Sequence, residues 1–360
     1  MRFFANLTGG LVFLFVLVLL SGCAVVGPQS ISAGRSSYAE AINKTEDEQV
    51  LLSIVKGRYG ETYSLLAVSG VAANMRFRAE AGIEAAFGPD SRAGENLLLG
   101  GFAYEENPTI TYAPVQGEKY IRELMSPIPL EILMLSLRSA TFSDRVLTFL
   151  VTRANGLHNP DFEMVSLPDQ KRDFERFVEL FSELHNVGAL DLSKNPQDEI
   201  AFNLLIEGYR SRYANEVNEF LTLLNLPLPK DDQGELIIPV SFAINTEKSW
   251  GLGLTTRSTF DLVEILRASV EIPEEHASAG LSVDYPPKGL PGQGIEILSS
   301  KEKPKDMSLA VPYRGYWFYI PSNDQQTKAF FSVLRILWSI SIAGAIEQAD
   351  APVLTLPVGR

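Results

Sequence analysis

From Val71 to Phe87 apolar residues occupy every second position: Val71, Ala73, Met75, Phe77, Ala79, Ala81, Ile83, Ala85 and Phe87. Asn74, Arg76, Arg78, Glu80 and Glu84 stand between them. Strand residues alternate between two faces, so the run reads as one long strand with an apolar and a polar side. Gly88-Pro89-Asp90-Ser91-Arg92-Ala93-Gly94 supplies a turn, and a second extended stretch runs from about Leu97 to Tyr112, broken near Asn107-Pro108. Together they predict a long antiparallel hairpin over 71–112. Strands in globular sheets usually have ~5–6 residues, whereas a strand that crosses a bilayer needs ~9–11.

The N-terminus carries the second strong signal. Arg2 and the chain amine are followed by a ten-residue apolar run, Leu11 to Leu20, and then by small residues. That is the layout of an export signal, and the run is shorter than the roughly 20 residues of a membrane-spanning helix. Leu20-Ser21-Gly22-Cys23 resembles the lipobox of bacterial prolipoproteins, and Cys23 is the sole cysteine. The resemblance implies cleavage of residues 1–22, lipid on Cys23, and a protein hung from a membrane. A thiol in an oxidising compartment normally has a disulfide partner; here none exists, which fits a lipid attachment point. Each buried CH₂ contributes about 0.8 kcal/mol, and two or more acyl chains give stable anchoring. Ala24 stands where an Asp would resemble an inner-membrane retention signal. The expected location is therefore the outer membrane, facing the periplasm.

Loss of residues 1–22 removes Arg2 from the 31 basic residues, leaving 30 against 44 acidic, a charge of −14. Such a balance disfavours nucleic acid and electrostatic adhesion to anionic lipid. Residues 24–44 are small and polar and read as a tether joined to the lipidated Cys23. Thr45-Glu46-Asp47-Glu48 fits a capping box that opens a helix ending near Gly57 or Gly60.

Residues 115–187 read as helical: Gly117–Met125, Leu130–Leu137 after Pro127 and Pro129, a helix opened by Ser143-Asp144 and ended by Asn155-Gly156, and Asp169–Asn186. The last has Phe174, Phe177, Val178, Phe181 and Leu184 at helical spacing. Further on, Ile200–Ile206 suggests a strand, Tyr213–Leu224 a helix, and Glu235–Phe242 a strand, placed at an edge by Pro239. Ser258 caps a helix to about Val270. In the closing unit, Ile295–Ser299 and Ser308–Val311 read as strands. Pro312-Tyr313-Arg314-Gly315 suits a type I turn with a bulge, and Tyr316–Ile320 returns. Ser322-Asn323-Asp324-Gln325 again fits a capping box. The helix after it, Asp324 to about Ile342, is apolar almost all round and is expected to lie under the preceding sheet.

Tyr313-Arg314-Gly315-Tyr316-Trp317-Phe318-Tyr319-Ile320, with Pro352-Val353-Leu354-Thr355-Leu356-Pro357-Val358, resembles a family of uncharacterised bacterial lipoproteins and hypothetical proteins. Asp47-Glu48-Gln49-Val50-Leu51-Leu52, Arg58-Tyr59-Gly60 and Pro108-Thr109-Ile110-Thr111-Tyr112 are similar to the same family. The resemblance spans most of the mature chain and implies no activity and no residue role.

Chemistry-bearing motifs are weak. His158, His185 and His276 lie far apart, and none has a zinc-binding spacing. Ser53-Ile54-Val55-Lys56 matches S-x-x-K but lacks the Lys-Thr-Gly and Ser-Asp-Asn partners. Val68-Ser69-Gly70 lacks the first glycine of a nucleophile elbow, and Gly251-Leu252-Gly253 lacks the third glycine of a phosphate loop. The acidic pairs Asp231-Asp232 and Glu274-Glu275 sit in expected loops. No metal and no cofactor is called for. The strand Tyr316-Trp317-Phe318-Tyr319 can offer a partner-binding surface, with Tyr316 and Phe318 on one side and Trp317 and Tyr319 on the other.

The expected fold is α+β: a helical N-terminal half (45–195) with the hairpin 71–112, and a mixed sheet with packed helices in 196–360. The expected function is that of a non-catalytic, lipid-anchored periplasmic protein that binds or scaffolds an envelope protein or peptidoglycan. Two alternatives stand beside it. One is a cell-wall hydrolase working through paired carboxylates. The other is a subunit of an oligomeric outer-membrane pore, with Arg76, Arg78, Glu80 and Glu84 in the lumen. The Ala-rich apolar face, without aromatic girdles at both ends, favours instead a hairpin packed on residues 115–187.

Overall fold

The computed structural model describes residues 23–62, 65–83, 98–115, 118–139, 141–163, 168–195, 198–207, 212–228, 235–242, 250–346 and 354–357. The signal segment 1–22, the turn 88–94 and Asp231-Asp232 lie outside them. The fold is α+β, and the chain divides into two compact units, Met1–Gln49 and Val50–Arg360.

Helix α1 covers Cys23–Arg58. The segment 24–44, read as a tether, is therefore helical. Thr45 is an interior residue, and its hydroxyl donates to the carbonyls of Ala41 (3.0 Å) and Ile42 (2.9 Å). No capping box forms there, because the chain upstream is already helical and the Thr amide has a partner.

In the second unit the long hairpin follows the end of α1. Strands β1 (Leu65–Ile83) and β2 (Leu98–Val115) pair antiparallel along their whole length, with one irregularity between Val68 and Gly70. A short strand near the C-terminus, Leu354–Pro357, joins the outer side of β2 opposite Thr109–Tyr112. Among the described residues the helices at 118–186 form no extensive interface with this ribbon; the C-terminal helix 325–346 is the one that approaches β2. The expected packing on 115–187 is not what the fold does.

Helices α2 (Glu118–Met125), α3 (Leu130–Ser139) and α4 (Ser143–Leu150) follow, then β3 (Val151–Ala154) and β4 (Leu157–His158), joined by Asn155-Gly156. This pair was expected to end a helix. Asn155 instead takes a left-handed φ of 47° in a hairpin turn. Its side chain donates to Leu224 O (2.7 Å) and accepts from Gly253 N (2.7 Å), which is why the chain turns here. Helix α5 (Pro168–Asn186) buries Phe174, Phe177, Val178, Phe181 and Leu184, as the spacing predicts. Phe177 stacks on Phe220 of α6 (Ala214–Leu223) with ring centroids 5.7 Å apart. Full burial of such a side chain contributes about 1.5–3 kcal/mol.

Strands β5 (Leu190–Asn195), β6 (Asp198–Glu207), β7 (Glu235–Phe242) and β8 (Leu252–Thr256) complete a six-stranded sheet in the order β4-β3-β8-β7-β6-β5. Hairpin β5–β6 straddles residues 195 and 196, so the two expected halves share one sheet. β7 is interior, contrary to the edge position inferred from Pro239. The parallel β7–β8 pairing begins at Val240, just past the proline, so the missing N–H falls outside that ladder.

Helix α7 (Thr259–Ala268) opens with the expected capping box: Ser258 Oγ accepts from Asp261 N, and Asp261 accepts from Ser258 N. Helix α8 (Glu274–Ser278) and the three-stranded sheet β10-β11-β9 follow, with β9 at Leu298–Ser300, β10 at Met307–Tyr313 and β11 at Tyr316–Pro321. Tyr313 pairs with Tyr316 around a two-residue loop in which Arg314 (φ 46°) and Gly315 (φ 83°) are both left-handed. That is a type I′ turn rather than the expected type I with a bulge, and it matches the strand twist better. Helix α9 (Gln325–Ile346) is capped by Asp324, which accepts from Thr327 N at 2.9 Å, not by Ser322. It buries Phe330, Leu334, Leu337 and Trp338; the helix lies chiefly beside α2 and α7 rather than under the β9–β11 sheet, and Phe330 meets Phe149 of α4 at a centroid distance of 4.7 Å. β12 is the Leu354–Pro357 strand described above.

Candidate binding surface

β11 is the middle strand of its sheet, and alternation sorts its aromatics. Phe318 is fully buried, with Tyr59 and Tyr313 around it at centroid distances of 6.2 and 6.4 Å. It is a core residue and leaves the candidate surface. Tyr316 points the same way and meets His276 of α8 edge-on at 5.1 Å. Trp317 and Tyr319 stand on the opposite side, partly exposed, opposite Pro312 and Ala310 of β10 and Ser300 and Leu298 of β9. The Lys303 ammonium sits 5.0 Å above the Trp317 ring, and that of Lys301 5.7 Å from the Tyr316 ring. Cations over aromatic faces are attracted by the ring quadrupole.

A second cluster, which inspection of the sequence did not single out, supports this strand from behind. The Tyr59 hydroxyl and His276 Nδ1 are hydrogen-bonded at 2.7 Å, and both residues are buried. Burial first, then the neighbouring Tyr313, pushes the Tyr59 phenol up to about 12, so it stays neutral at any physiological pH. Tyr59 and Tyr313 meet at 5.0 Å. Arg314 lies over both rings, at 5.5 and 5.6 Å, and donates to Glu61 Oε1 at 2.7 Å. The hydrogen bond from Arg314, followed by one from Tyr313, holds the Glu61 carboxyl below the usual carboxylate range. Glu275 is likewise lowered by its hydrogen bond with Lys301. Arg58-Tyr59-Gly60 and Tyr313-Arg314-Gly315-Tyr316 are thus in direct contact across the sequence. Thr109–Tyr112 of β2 and the Leu354–Pro357 strand, also far apart in the sequence, pair antiparallel.

The remaining sequence candidates are structurally occupied. Ser53 is buried and its hydroxyl donates to Val50 O at 2.7 Å, so it is not poised as a nucleophile. His158 contacts Arg153 at 3.1 Å and His185 Nδ1 lies 3.2 Å from Leu190 O. Glu274 and Glu275 open α8, where Glu275 pairs with Lys301. Gly251 precedes β8, and a side chain there would meet Pro239 O at 2.7 Å, which accounts for the glycine without a phosphate. Cys23 is the first residue of α1. Among the described residues no group of three or more His, Cys, Asp and Glu is placed to hold a metal, and no helix is long and apolar enough to cross a membrane.

Comparison with protein-family models, with curated proteins and with solved structures yields no match.

Proposed function

We propose that this protein is a lipid-anchored, non-catalytic binding or scaffold protein of the bacterial cell envelope. Acyl chains on Cys23 hold it on the outer membrane, and the body faces the periplasm. Its contact surface is the Trp317–Tyr319 side of the β9–β11 sheet. The observation that carries the reading is the division of labour along β11: Phe318 and Tyr316 are locked against Tyr59, Tyr313 and His276, while Trp317 and Tyr319 stay accessible beside Lys303. A rigidly backed aromatic pair next to a cation suits a partner with apolar or sugar faces and carboxylates, as an envelope protein or peptidoglycan has.

The test is capture of the intact lipidated protein from envelope membranes, with co-sedimentation on purified peptidoglycan, comparing wild type with Trp317→Ala/Tyr319→Ala. Removing aromatic anchors of an interface costs more than about 1 kcal/mol, so retention should fall by roughly tenfold. Unchanged retention of every partner would remove this surface from the account.

A further inference from the structure

Among the described residues much of the hairpin has two unpaired edges. In the order β1-β2-β12, the outer edge of β1 is paired with no strand among the described residues, and β12 covers β2 only opposite Thr109–Tyr112. Beyond that point Ala73–Ile83 and Leu98–Pro108 form a two-stranded ribbon, eleven residues on each strand, that no other strand among the described residues joins. A lone two-stranded ribbon is marginal in water, and long bare edges are templates for pairing. The length equals the ~9–11 residues that take a tilted strand across a bilayer.

Register sorts the residues as a membrane strand requires. Directly opposed residues share a face. One face carries Phe77 opposite Tyr104, Ala79 opposite Phe102 and Ile83 opposite Leu98; the other carries Arg76 opposite Glu105 and Asn74 opposite Asn107. Met75 opposite Glu106 marks the base of the apolar face.

We propose that these ribbons, one from each of several copies of this chain, pair edge to edge and close a β-barrel through a bilayer, apolar face outward and Arg76, Arg78 and Glu80 towards the lumen. A second copy is favoured over a foreign strand for two reasons. A foreign strand would cover one edge and leave the other bare, whereas copies cover both and closure abolishes edges altogether. In addition, β1 carries Arg76 and Arg78 and β2 carries Glu105 on the same face, so head-to-tail repetition sets arginines of one copy beside a glutamate of the next at every junction. Small closed barrels have about eight strands, so two strands per chain require at least about four copies. The inference rests on the lipid-anchored reading only for which membrane is crossed.

The test uses full-length lipidated protein in detergent, with mass by light scattering and current recording in planar bilayers. Differently tagged copies carrying Ala79→Cys or Phe102→Cys are co-expressed and treated with a bismaleimide. The proposal expects a mass of about four copies or more, discrete current steps, and a band joining the two tags. Arg76→Gln/Arg78→Gln should keep the mass and shift ion selectivity towards cations. A monomer with a silent bilayer and no inter-tag band would overturn it, as would an inter-tag band with no conductance. Conductance from wild-type protein, together with a Cys23→Ala variant that fractionates with membranes like wild type, would leave the pore standing while the anchoring reading fell. Anchored, partner-binding protein that is monomeric would do the reverse.

Discussion

At the residue scale the most demanding position is Arg257. It is fully buried, and its guanidinium donates to Asp161 Oδ1 (2.5 Å), to the carbonyls of Thr148, Phe149 and Val151 (3.1, 3.1 and 2.9 Å), and to Asn159 O. It ties the end of α4, strand β3 and the loop after β4 together. Nothing in Thr255-Thr256-Arg257-Ser258 announces this, because every acceptor comes from about a hundred residues away. Arg257→Met leaves those acceptors unpaired and should cost about 3–5 kcal/mol in urea unfolding. Arg257→Lys should rescue little, since an ammonium has three donors and no planar fork. A loss below about 1 kcal/mol would contradict the clamp. Three exposed pairs set an acid limb. Glu61, Glu219 and Glu275 are held below the carboxylate range by Arg314, Arg176 and Lys301. A carboxyl depressed on folding adds stability that is complete above its unfolded pKa, near 4, and is lost as pH falls through the lowered value. The urea midpoint should therefore drop on acidification through that window. Replacing all three with Gln should flatten the drop, and an unchanged acid slope would show that these pairs do not matter.

At the element scale, what the sequence made legible was periodicity. The stripe of α5, the strand over 71–83 and the capping box at Ser258 are each contained in a few consecutive residues, and each forms; the rest of the alternating run, 84–87, lies outside the described residues. Caps failed where context decided: Thr45 has a cap pattern but sits inside a longer helix, and Asp324 displaces Ser322. The neighbours of an element were not legible. α9 is apolar all round, yet Ile336 and Ile340 are 63% and 48% exposed while the opposite side packs on α2 and α7. Two substitutions test these local accounts. Ser258→Ala should lose about 0.5–2 kcal/mol through the cap. Gly289 is buried, and a methyl group there would strike the Pro160 carbonyl oxygen and the Asp161 backbone. Gly289→Ala should cost about 1–3 kcal/mol, since a main chain yields less readily than a side-chain tip. Melting curves that match wild type would show that the 160–161 and 288–289 segments separate freely.

At the scale of the whole molecule, the α+β class was legible and the topology was not. A prolyl strand ended in the middle of a sheet, and strands from both expected halves joined in one layer. The candidate surface was half legible. Alternation separated Trp317 and Tyr319 from Tyr316 and Phe318. The Tyr59–His276–Arg314–Glu61 support needed the tertiary contact that brings Arg58-Tyr59-Gly60 to Tyr313-Arg314-Gly315, 253 residues apart at the Glu61–Arg314 bond. Anchoring has its own check: Cys23→Ala should abolish labelling by radioactive palmitate and move the protein out of the membrane fraction, and a variant that fractionates like wild type would contradict lipidation at Cys23. The central claim, a surface on β11 that meets an envelope partner, is tested most directly by placing a photo-crosslinking residue at Trp317 in living cells, with exposed Leu228 as the control site. The account predicts a discrete high-mass adduct from position 317 in the membrane or peptidoglycan fraction and none from 228. Equal adducts from both positions, or none from 317, would contradict it.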